Sequence, residues 1–79
     1  MNVKLIAPDS RKLMIVEWID AHTLDGSRVI LSGHAPALWQ LEANKTISFG
    51  LVGGAVKSMV ITGGILRVER ESVTVILSE

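Results

Sequence analysis

The sequence predicts an all-β domain, a flattened sandwich of short antiparallel strands, and three observations predict it. No segment sustains the 3.6-residue apolar repeat of an amphipathic helix. Short alternating or apolar runs recur along the whole chain, separated by turn-forming clusters such as Pro8-Asp9-Ser10, Leu24-Asp25-Gly26-Ser27 and Gly53-Gly54. The chain has 79 residues and no cysteine, so it forms one domain over 1–79 that no disulfide can staple. Many short strands joined by tight turns pack as a sandwich or a flattened barrel.

Val3 to Ala7 form the first strand, stopped by Pro8-Asp9-Ser10. Residues 13–21, LMIVEWIDA, place Leu13, Ile15, Ile19 and Ala21 on one face and Met14, Val16 and Trp18 on the other. Both faces are mainly apolar, which assigns one to the core and the other to a partner. Leu24 to Ser27 turn the chain, Arg28 to Leu31 make a short strand, and Ala37 to Leu41 another. Glu42 to Lys45 turn again. Thr46 to Val52 and Ala55 to Thr62 pair as a hairpin about Gly53-Gly54, a favoured tight-turn dipeptide. Ile65 to Glu69 and Ser72 to Ser78 form a second hairpin about Arg70-Glu71, with Val73, Val75 and Leu77 alternating against Ser72, Thr74 and Ser78.

Composition narrows function. Eight basic residues balance eight acidic ones, so net charge draws the chain toward neither nucleic acid nor anionic lipid. Mean hydropathy is +0.41 although only three residues are aromatic. So much aliphatic surface on a chain this short predicts that a partner covers part of it. Residues 47–66, ISFGLVGGAVKSMVITGGIL, carry one charge and are long enough to span a bilayer. Lys57 near the middle, five interrupting glycines and strand-like flanks argue for strands instead. The N-terminal residues lack the apolar stretch of a signal peptide.

Catalytic chemistry is not encoded. Ser27, His22, His34 and a carboxylate supply the residue types of a hydrolytic triad, but no nucleophile elbow surrounds a serine. His22 and His34 have no third ligand at a recognisable spacing, so no metal is expected. The glycine pairs lack the Lys-Ser/Thr of a phosphate loop and read as turns. Trp18 and Trp39 read as core or contact residues. The alternative is a platform for a peptide or glycan on a free-standing binding module.

The most specific stretch is Ser32 to Leu41, SGHAPALWQL. Gly33 opens backbone conformations closed to other residues, Pro36 fixes the exit of the loop, and His34 sits exposed between them. A rigid loop that presents one polar side chain is a recognition surface. SGHAPALWQL resembles the GHAP loop and following strand of the epsilon subunit of F-type ATP synthases, called delta in mitochondria. VITGGILRVERESVTVILSE is similar to the stretch that closes that family's N-terminal domain, and VKLIAPDSRKL to its first strand and turn.

The resemblance implies a β-sandwich of about ten strands in the central stalk, a non-catalytic rotor part held between the gamma subunit and the c-ring. It implies c-ring contact through Gly33, His34, Ala35 and Pro36, with Asp25 and Arg28 in the shortened preceding loop as substitutes for its usual contacts. The surface toward gamma needs an apolar sheet face, for which Met14, Val16 and Trp18 fit by pattern. Gly63 and Gly64 carry over as structural positions beside the turn glycines Gly53 and Gly54. Peripheral attachment through the complex, on the cytoplasmic face of an inner or plasma membrane, follows from the same resemblance. Family members continue into two C-terminal helices; this sequence ends at Glu79, so neither an inhibitory arm nor nucleotide binding is expected, and no cofactor.

Overall fold

The computed structural model describes all 79 residues and contains eight strands and no helix. They are β1 (Asn2–Ala7), β2 (Ser10–Thr23), β3 (Gly26–Leu31), β4 (Ala37–Leu41), β5 (Lys45–Leu51), β6 (Val56–Ile61), β7 (Gly64–Val68) and β8 (Ser72–Leu77). The sequence reading places every one of them to within a few residues. Their number, eight, is that of the strand reading and below the ten or so that the resemblance implies; the structure differs from the reading in two respects, since β2 is a single strand of 14 residues and β1 runs parallel to β8. The long β2 is the physical reason the strands close into a compact body. Its first half pairs with β1 and its second half with β3 and β5, so one strand serves both layers.

The hydrogen-bonded path runs β1-β8-β7-β4-β2-β5-β6, with β3 beside β2 and β1 also paired to β2. A single bridge from Thr23 to Leu41 completes a ring through β2, β1, β8, β7 and β4. The result is a flattened barrel of 27 × 25 × 17 Å, extended on one side by β5 and β6. Two edges stay open, β6 and β3, each paired on one side only.

Alternation drives the core. Val3 and Leu5, Ile47 and Phe49, Leu66 and Val68, and Val73 and Val75 point inward at every second position. On β2 the alternation breaks. Val16 pairs with Leu51 and Trp18 with Gly50, so Glu17 is an extra residue, a β-bulge. Before it the even positions Met14 and Val16 are buried; after it the odd positions Ile19, Ala21 and Thr23 are. The sequence-based face assignment is therefore corrected for the first half of the strand. Leu13 and Ile15, assigned to the side of Ile19 and Ala21, are exposed at 73% and 63%, whereas Met14 and Val16 lie in the core and offer nothing to a partner.

Backbone geometry explains two glycines. Gly64 has φ +152°, and a Cβ there would run into the backbone carbonyl of Ile76 on β8. Its role is thus close approach of β7 to β8 as well as the turn. Gly50 lies under the Trp18 indole, which occupies the space a Cβ would take. Gly53 and Gly54 form the β5–β6 turn with φ near +100°, as the sequence predicts.

Candidate functional site: a loop rim and an apolar sheet face

The Ser32–Pro36 loop joins β3 to β4. The His34 amide donates to the Leu31 carbonyl at 3.1 Å, closing a turn in which Gly33 takes φ +81°. Only glycine takes that conformation without strain. The His34 imidazole is half-exposed rather than fully so: its Nδ1 donates to the Ala35 carbonyl at 2.6 Å, which leaves Nε2 free. Its ring also meets the Trp39 indole edge-on at 5.7 Å between centroids.

Trp39 is the residue the sequence reading undervalues. Paired with the buried Leu66, it points inward and packs partly buried against the core. The Arg28 guanidinium lies 5.5 Å from its ring centre, a cation–π contact, and donates to the Asp25 carbonyl at 3.2 Å. Asp25 and the Gly33–Pro36 loop sit at opposite ends of β3, about 20 Å of extended chain apart, yet Arg28, Trp39 and His34 connect them through contacts. Spacing alone held a clue, since Trp39 follows His34 by five residues in the same quoted stretch.

The β2–β3 turn is tied by Thr23. Its buried hydroxyl donates to the Gly26 carbonyl at 2.7 Å and accepts from the Asp25 amide at 3.1 Å. Next to it, Ser27 Oγ and His22 Nδ1 are 3.1 Å apart as a cross-strand pair. Two of the three triad residue types do meet, but the pair is exposed and the imidazole has no carboxylate partner. His22 and His34 belong to no cluster of three or more metal-ligating side chains.

A second surface is apolar. Across β3, β2, β5 and β6 the register aligns Leu31, Trp18, Gly50 and Val56 in one outward row; the next row sets Val29 beside Asp20, Ser48 and Ser58, and Val60 lies in the row beyond, opposite Thr46. Leu31, Val29, Val56 and Val60 are all more than half exposed. Of the three residues expected on a partner face, Trp18 alone is there. Trp18 stands on the outer face and Trp39 is turned to the core, so they do not form one stacking platform.

The thin all-β body thus presents a loop rim at His34 and a sheet face with exposed aliphatic side chains around Trp18. The family is shown by comparison: the model for the ATP synthase delta/epsilon chain, beta-sandwich domain, matches residues 1–79, and the chain belongs to that family. A solved chain of the Euglena gracilis mitochondrial ATP synthase, from its OSCP/F1/c-ring structure, is 28% identical, with a TM-score of 0.89 over 98% of this chain and 49% of that one. A chain of the Tetrahymena thermophila mitochondrial ATP synthase central stalk and c-ring is 20% identical, with a TM-score of 0.81 over 100% of this chain and 63% of that one, and shows the fold. This chain thus spans about half to two thirds of the solved chains it matches. A search of the curated proteins gives no significant match.

Proposed function

We propose that this domain is a non-catalytic rotor part of an F-type ATP synthase, joining a gamma subunit to a c-ring and held at the membrane through that ring. Family membership over residues 1–79 supports the class, and the presence of two unlike surfaces carries the reading. Gly33, His34, Ala35 and Pro36, with Arg28 and the Asp25 turn behind them, form the rim toward the ring's polar loops. Trp18, flanked by Leu31 and Val56, faces gamma. Torque transfer needs a body that does not deform, and the closed strand path with 45 backbone hydrogen bonds supplies one. Burial of an apolar row contributes about 25 cal/mol per Å² removed from water, whereas the rim contributes register through directed polar contacts.

Co-purification with a matching gamma subunit tests the reading. Trp18→Asp abolishes capture of gamma and leaves the isolated domain folded, while His34→Ala leaves gamma binding intact and weakens retention on a reconstituted ring. Equal capture of gamma by the wild type and Trp18→Asp overturns the assignment of that face.

A further inference from the structure

The β6 edge carries a feature that stalk coupling does not use. β6 pairs only with β5, so one side of its backbone is open. The Leu51 amide bonds the Ala55 carbonyl, and the antiparallel alternation that follows turns the odd positions toward β5. The N–H and C=O groups of Val56, Ser58 and Val60 therefore face outward, beside side chains that are exposed at 57% for Val56 and 71% for Val60. Such an edge is self-complementary: a second copy rotated by two-fold symmetry can add antiparallel to it.

Lys57 opposes that addition. It is the only charge between Ile47 and Leu66, and its pairing with the fully buried Phe49 sends its side chain to the core side of the strand. Lys12 is paired with the buried Leu5 and emerges on the same side, near enough to Lys57 for its ammonium to lower the Lys57 pKa. Neither lysine has a carboxylate partner, because the one ion pair in the molecule is Arg67 with Glu69. Joining two β6 edges would bring Lys57, Lys12 and their two symmetry mates to one seam while closing the flank to water. Unpaired like charges moved out of water oppose association.

We propose that Lys57 is the guard of an otherwise competent β-strand docking edge, and that it keeps β6 from pairing with a second copy of this chain. Arg28 holds the equivalent inward position on the other open edge, β3, opposite Ala21. There, however, its guanidinium is engaged by Trp39, so the test belongs to β6.

Light scattering on purified protein reads the outcome. The wild type scatters as the 8.5 kDa monomer, and Lys57→Val doubles that mass over the same concentration range. Lys57→Gln, which keeps length and removes charge, shifts part of the population to dimer and retains the strand signature in circular dichroism. Lys4→Val removes a lysine from the outer face of β1 and stays monomeric. Adding Val60→Pro to Lys57→Val deletes one outward N–H and returns the protein to monomer. The proposal is overturned if both Lys57 variants remain monomeric, if Lys4→Val dimerises equally, or if the proline variant still dimerises. A wild type that is already a dimer and is split by Val60→Pro overturns it as well.

Discussion

Single side chains decide more in this chain than its small size suggests, and Thr23 shows how. Its hydroxyl is the buried clasp of the β2–β3 turn, serving one acceptor and one donor. Thr23→Val keeps the shape and leaves the Asp25 amide without its side-chain partner. The expected loss is about 1–3 kcal/mol, read as a lower denaturant midpoint at unchanged slope. Gly50 acts through space instead of bonding. Gly50→Ala lifts the Trp18 indole off the sheet and shifts its fluorescence toward the water-exposed value. At the Lys12–Lys57 pair the sign is opposite to that of an ion pair. The Lys12 ammonium, a second donor that offers no acceptor, then desolvation, then the like charge of Lys12 hold the Lys57 pKa below 10.5. The unfolded chain therefore binds the Lys57 proton more tightly, so the group disfavours folding below its folded pKa and the penalty fades as pH rises from there toward 10.5. Lys12→Gln returns the Lys57 titration toward the ordinary lysine value, measured by NMR at the side-chain nitrogen. An unmoved titration would refute the coupling.

At the scale of elements, β2 is where sequence and structure part. The turns and strands were legible because Pro8, Gly26, Gly53-Gly54 and the alternation in Ser72–Ser78 are local signals that read directly off the chain. The GHAP loop was legible for the same reason. The bulge at Glu17 was not, because nothing in LMIVEWIDA distinguishes continuous pleating from a pleat with one extra residue. A one-residue offset exchanges the faces of a strand, so Leu13 and Ile15 went outward and Met14 and Val16 inward. Trp39 was legible as a core or contact residue but its partners were not: the contacts with Arg28 and His34 depend on β4 folding back along the β2–β3 tip, a tertiary event. The bulge makes a sharp prediction. Val16→Asp buries a carboxylate in the core and prevents folding, whereas Trp18→Asp, two positions along, leaves the melting temperature within a few degrees of wild type. Similar melting for the two variants would mean that no bulge separates their faces.

For the whole molecule, the decisive fact is that β2 is shared. The rim and the apolar face are useful to a rotor only if load on one reaches the other without the layers slipping. β2 places Trp18 in the apolar row, bridges β4 at Thr23, and through its residues 10–15 forms the ladder with β1 that leads through β8 and β7 to the strand of Trp39. The parallel pairing of β1 with β8 further ties the first strand to the last, so no subset of strands is complete without both ends of the chain. Such a body opens as one cooperative unit. The two tryptophans report on it independently, since Trp18 lies on β2 beside β5 and Trp39 lies on β4 beside β7. In Trp18→Phe and Trp39→Phe variants, each with one remaining indole, the fluorescence transition coincides in midpoint with the loss of strand signal by circular dichroism. The non-local pairing also makes refolding slow, on the order of milliseconds to seconds, with a single exponential phase seen by both indoles. If the Trp39 signal changes at lower denaturant than the Trp18 signal, the layers separate before the molecule unfolds, and a rigid coupling role fails with them.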